Sequence, residues 1–229
     1  MTFSPNGSDQ DDDDVVSAWQ LRALDRSLGA ARARSVQRLG QFVQAARELA
    51  TETGSATFTV QQVVDGSGQS LKSFYRLFAG KDDLLLALLE EDCAVGALFL
   101  AEMVARHRSP VRRMQAWVEG MFELLAAGEH GYVTVLVREH LRLSESRPEQ
   151  MAEVLRPFLE ILATDIAVAM DAGNVRPGNA DRDARSVFDL VLANIHHLVP
   201  GHAGETPQQA ARYVWRFCWG GMQTGDGRG

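Results

Sequence analysis

The stretch from Thr57 to Leu89, TFTVQQVVDGSGQSLKSFYRLFAGKDDLLLALL, places two short helical patterns on either side of a glycine-containing turn and follows them with a third helix. That is the punctuation of a helix-turn-helix. Thr59 stands directly before Val60-Gln61-Gln62-Val63-Val64, where its hydroxyl can accept from free backbone N–H groups, and the pattern stops at Asp65-Gly66-Ser67-Gly68. Ser70 offers a second N-cap. Behind it, Phe74 and Phe78 lie four apart and share a helix face, while Lys72, Ser73 and Arg76 point elsewhere and form a polar, partly cationic face that suits a DNA groove.

On these residues the segment from Thr59 to Leu84 resembles the DNA-binding domain of TetR-family transcriptional regulators. Thr59 fits the family's helix-two cap, Gly68 its turn glycine, Ser70 its recognition-helix cap, Ser73-Phe74-Tyr75 its Thr/Ser-apolar-Tyr core, Phe78 its closing aromatic, and Lys81 the lysine opening the next helix. The resemblance implies phosphate contacts from Ser73, Tyr75 and Lys81, and places Gln69, Leu71 and Lys72 where the family reads bases or the groove surface. Leu71 either touches a thymine methyl or packs beside Phe74. Val64, Gly66, Ser67, Gln69 and Leu77 depart from the family pattern.

The net charge of −7 is unevenly spread. Residues 1–30 hold two Arg against six Asp, residues 31–81 hold five Arg and two Lys against three acids, and the remainder is acidic again. The basic surplus falls on the motif, as a small phosphate-binding domain on an acidic body requires. Both lysines, Lys72 and Lys81, lie inside it. Cys93 and Cys218 stand far apart without metal-ligand spacing, which argues against a disulfide framework or zinc site and for a reducing, cytoplasmic setting. The acidic start has no signal-peptide order, and no apolar run reaches the roughly 18 residues of a membrane span.

Residues 1–30 are expected to be an acidic, largely mobile tail with a short helical pattern at Val15 to Leu28. Its four-Asp run reads either as a solvated tail or as a competitor of DNA in cis. From Ala31 to Glu52 the apolar positions Val36, Leu39, Phe42, Val43, Ala46, Leu49 and Ala50 follow the helical period and give helix one. Arg32, Arg34 and Arg38 on its flank are either near the DNA backbone, as the resemblance implies, or a solvated face. Lys81-Asp82-Asp83 opens a helix that runs without a linker to about Arg108, joining the DNA-binding segment to the body. Beyond Ser109-Pro110 every segment reads helical, with an expected kink or interruption at Pro157 and a fraying C-terminal tail.

Catalytic signatures are absent: no GxSxG, P-loop or HExxH occurs, and the adjacent pair His196-His197 points about 100° apart on a helix and does not chelate. No cofactor is expected. Asp165 and the run Arg138-Glu139-His140 interrupt apolar stretches, and are either wet-face residues or groups that must pair or meet a ligand. The sequence thus predicts an all-α chain with a three-helix DNA-binding domain over 31–80 and a six-helix effector-binding and dimerisation domain over 81–229. Its DNA-binding residues are Thr59, Gln69, Ser70, Leu71, Lys72, Ser73, Tyr75, Arg76 and Lys81. A lipophilic or aromatic effector is expected at Trp117, Met121, Phe122, Tyr132, Phe158 and Asp165, and a homodimer contact at Val191, Ile195, Val214 and Phe217. The expected function is that of a repressor that binds a pseudo-palindromic operator as a homodimer and is released by its effector. The alternative is a helical ligand-binding or protein-docking protein whose helix-turn-helix no longer reads DNA.

Overall fold

The computed structural model describes residues 18–128, 130–198 and 204–224. Among them are nine helices: α1 (Ala18–Thr53), α2 (Val60–Ser67), α3 (Leu71–Leu77), α4 (Lys81–Ala105), α5 (Pro110–Ala127), α6 (His130–Ser146), α7 (Pro148–Asp171), α8 (Ala180–Leu198) and α9 (Pro207–Met222). None is long and apolar enough to cross a membrane. The four-Asp run and the Pro200-Gly201 turn lie outside the described residues.

The two helical patterns read at 15–28 and 31–52 join into one helix of 36 residues that starts at Ala18. Residues 18–30, expected to be mostly tail, are therefore helical. Chain contacts divide the molecule within this helix: residues up to Gly40 form one unit and those from Gln41 onward a second. In the first unit Leu28 and Val36 are exposed. In the second, the remainder of α1 packs with α2 and α3 around Phe42, Phe74 and Phe78. Phe42 meets Phe74 edge-on at 5.4 Å and Phe78 at 6.1 Å between ring centres, geometries that the ring quadrupoles favour.

The local stops and starts are physical. Thr59 accepts from the Gln62 N–H while the Gln62 side chain accepts from the Thr59 N–H, a reciprocal capping box. Gly68 ends α2 at φ 66°, a left-handed conformation that costs a side-chain-bearing residue roughly 1–2 kcal/mol. Asn179 caps α8 through the Arg182 N–H, and Thr206 caps α9 with a second capping box. α7 runs unbroken through Pro157, so the expected interruption does not occur and helical pairing is carried by the residues around it. The first C-terminal residues do not fray: Thr224 bonds Asn174 and Gly173, and Val175 bridges to Gln223.

In the body α4 packs on both α5 and α7, α7 on α8, and α9 on α5. Two glycines set how closely. A Cβ on Gly96 of α4 would stand 2.9 Å from Cζ of Phe158, so the ring of α7 occupies that space. A Cβ on Gly120 of α5 would stand 2.6 Å from Cδ2 of Leu100 and 2.9 Å from Sδ of Met103. Gly96→Val is expected to destabilise by about 1–3 kcal/mol through overpacking, read as a lower midpoint in urea at fixed protein concentration.

His140 of α6 is 7% exposed, with its ring edge-on to Phe188 of α8 at 5.9 Å. Burial, helped by the nearby Arg185, pushes its pKa down to about 4. The folded value lies below the ordinary 6.5, so the unfolded chain binds the extra proton. Stability from this group is complete above about pH 6.5 and is lost as pH falls toward 4, amounting to about 3 kcal/mol. His140→Leu is expected to flatten that part of the stability curve, measured by denaturant midpoints across the window.

Candidate nucleic-acid interface and effector site

The recognition face is built on α3. Ser70 caps it by accepting from the Ser73 N–H at 3.2 Å, and its hydroxyl also donates to Oγ of Ser73 at 3.1 Å. Phe74 is wholly buried, which turns Leu71, Lys72, Tyr75 and Arg76 outward on one face. Tyr75 is 57% and Leu71 42% exposed. Leu71 therefore presents a large part of its side chain to solvent. Ser70 and Thr59 are exposed beside this face, while Ser73 is half-buried.

Two expected contact residues have other engagements. Lys81 donates from Nζ to the carbonyls of Ala56 at 2.9 Å and Phe58 at 3.3 Å, and its ammonium sits 5.6 Å from the Phe58 ring centre. An ammonium has three N–H groups, so one remains for a phosphate. Gln69 donates to Oε1 of Gln41 at 3.0 Å, fastening the turn to α1 where an apolar residue would otherwise pack. Of the other departures, Val64 is buried and Ser67 donates to the Val64 carbonyl, whereas a Cβ at Gly66 would make only ordinary contact with Ala45 at 3.5 Å, so packing does not require a glycine there. Arg32 and Arg34 are exposed on the first unit.

The expected effector residues form a partial set. Trp117, Met121, Phe122 and Phe158 are buried, and the Trp117 indole N–H donates to the Phe158 carbonyl at 3.1 Å. Phe122 also borders a small cavity of about 180 Å³ against α9, with Glu119, Glu123, Ala211 and Arg212. Asp165 is 2% exposed and accepts from Nε of Arg113 at 2.6 Å, while its Oδ2 has no partner among the described residues. Burial raises its pKa and Arg113 opposes that shift. Tyr132 is engaged elsewhere, bonding Asp92 of α4 and Arg47 of α1. Larger clefts lie at the surface, one of about 820 Å³ bordered by Gln115, Arg212, Tyr213 and Arg216. Burial pushes the thiols of Cys93 and Cys218 up to about 12 and about 11, so both stay protonated.

The expected dimer residues require a correction. Val191, Ile195 and Val214 are 0%, 2% and 1% exposed within a single subunit. They line its own core, because α8 packs on α7 and α9 on α5. Phe217 is 65% exposed, as is Tyr213 one turn earlier at 58%. Both patterns are apolar at helical spacing, and spacing alone does not say which apolar face turns inward.

Comparison with known proteins agrees with this geometry. Residues 42–88 match the family model for bacterial regulatory proteins of the tetR family. The fatty acid metabolism regulator protein of Bacillus subtilis is 23% identical over 159 residues, covering 69% of this chain and 80% of that one. The HTH-type transcriptional repressor KstR2 of Mycobacterium tuberculosis is 24% identical over 208 residues, covering 87% and 98%. Among solved structures, FadR from Bacillus subtilis in complex with stearoyl-CoA superposes with a TM-score of 0.67 at 19% identity, covering 79% of this chain and 97% of that one. AibR in complex with isovaleryl coenzyme A and operator DNA gives 0.58 at 20% identity, with the same coverage. The tetR-family model thus matches the segment that carries the capped helix-turn-helix and its aromatic core, and over most of its length the chain is similar to transcriptional regulators.

Proposed function

We propose that the protein is a cytoplasmic, effector-responsive repressor that binds a pseudo-palindromic operator as a homodimer and has no catalytic role. One observation carries this reading: Leu71, Lys72, Tyr75 and Arg76 stand exposed on a single face of a helix whose start is capped and whose back is held by Phe74. Tyr75, Ser73 and the free N–H of Lys81 position the domain on phosphates, with Thr59 and Ser70 beside them. Lys72, Leu71 and Arg76 face the groove, and Gln69 acts by fixing the turn. The rival docking-protein reading is not favoured, because Val64 is absorbed by packing and Gln69 by its bond to Gln41, both of which leave this face intact.

The effector is a lipophilic small molecule bound along α5 and α7 near Trp117, Met121, Phe122 and Phe158, with the Arg113–Asp165 pair as its polar contact. Acyl thioesters are the first class to test, since two similar structures hold them. The homodimer forms through the outer face of α9, where Tyr213 and Phe217 project and Gly220 leaves room for close approach. Two half-sites on one face of B-DNA lie about 34–36 Å apart, and effector binding changes the separation of the two α3 helices.

Selection from a random duplex pool is expected to enrich a pseudo-palindrome, and a flat pool would favour the docking reading. Tyr75→Ala is expected to weaken all duplexes alike, whereas Lys72→Ala shifts the sequence chosen. Lys81→Ala is expected to lower the salt slope by about one per monomer and also the melting temperature, since it releases the Ala56 and Phe58 carbonyls. Phe217→Glu is expected to give folded monomers in sedimentation, whereas Val191→Glu buries an unpaired charge in the core and unfolds the subunit. A dimer that persists in Phe217→Glu would exclude this face.

A further inference from the structure

We infer that Arg47, Asp92 and Tyr132 form a joint that fixes the orientation of the DNA-binding helices on the body. The inference rests on the DNA-binding reading above. Three helices meet at this point. Nη1 of Arg47, on α1, donates to Oδ1 of Asp92 on α4 and, at 2.8 Å, to the hydroxyl of Tyr132 on α6. The Tyr132 hydroxyl donates to the other Asp92 oxygen, closing a three-membered ring of bonds. Nη2 of Arg47 reaches Glu91 at 2.9 Å, and its guanidinium stands 5.6 Å from the Tyr132 ring centre. Burial and Asp92 hold the Tyr132 phenol well above its ordinary pKa, so it remains a donor.

Beside the joint the backbones touch. A Cβ on Gly131 of α6 would lie 3.5 Å from both Cα of Gly54 and the Thr51 carbonyl at the end of α1. At the far end of α6, Arg142 pairs with Asp82 at 2.7 Å and Arg147 with Asp83 at 3.2 Å, both at the start of α4. Between these attachments lies a crevice of about 340 Å³ bordered by Gly54, Thr57, Lys81, Val135 and Arg138. On its other side α6 presents His140 to Phe188, whose ring lies 6.4 Å from that of Trp117.

The test uses Tyr132→Phe, which keeps the ring and removes the bridging hydroxyl, and Asp92→Asn as the second variant. Hydrogen exchange in the ligand-free protein is expected to quicken by about threefold or more for amides 57–77, while amides in α5 and α7 keep their rates. In duplexes carrying the selected operator, one base pair added or removed between half-sites moves them by about 3.4 Å and turns them by about 34°. The wild type is expected to lose much of its affinity to either change, and Tyr132→Phe to lose at least threefold less. A merely structural residue would raise exchange everywhere and leave the spacing penalty alone. Unchanged exchange in 57–77, or a uniform rise across all helices in both variants, overturns the joint. If the pool yields no operator, the DNA reading fails by itself and exchange alone decides the joint.

Discussion

Phe158 holds together α4, α5 and α7. Its ring fills the space a side chain at Gly96 would take on α4, and its carbonyl accepts the Trp117 indole N–H from α5. One residue of α7 thereby fixes the distance to two neighbours, by exclusion toward one and by a buried hydrogen bond toward the other. Gly120 receives Leu100 and Met103 in the reciprocal sense. Close-packed interiors respond to a displaced side chain by switching between discrete arrangements, so a ligand that moves Phe158 moves α4 with it.

The polar groups of the body are concentrated at such contacts. Arg113–Asp165 joins α5 to α7, and the Arg47 cluster joins α1, α4 and α6. Pairs of this kind add little net stability when desolvation offsets their attraction. Asp165 keeps one buried oxygen without a partner among the described residues.

Much of the fold was legible because its signals are local. Thr59, Ser70, Asn179 and Thr206 mark helix starts through their own side chains, and Gly68 marks a stop through its backbone. The recognition face followed from Phe74 alone, since burying one residue of a short helix orients the rest. Orientation in the body was not local. Val191 and Val214 read as plausible at an interface as in a core, and only the packing of α8 on α7 and of α9 on α5 separates the two. The joint was hidden for a related reason. Arg47, Asp92 and Tyr132 are far apart in sequence, each looks like an ordinary surface residue in its own helix, and Tyr132 was drawn toward the effector by the aromatics around it. Gln69 carried a signal that was visible, a polar residue where an apolar one is usual, but its partner Gln41 lies on another helix.

The scarcity of lysine has a practical side. The other permanently cationic side chains are all arginines, so the side-chain amines are those of Lys72 and Lys81. Lys81 is half-buried with its amine on two carbonyls, whereas Lys72 is exposed on the recognition face. Reagents that modify lysine will therefore act at Lys72, on the exposed face of α3 that is proposed to read DNA, and immobilisation through that residue would conceal the activity it is meant to measure. Thiol coupling offers little relief, because both cysteines are held protonated by burial.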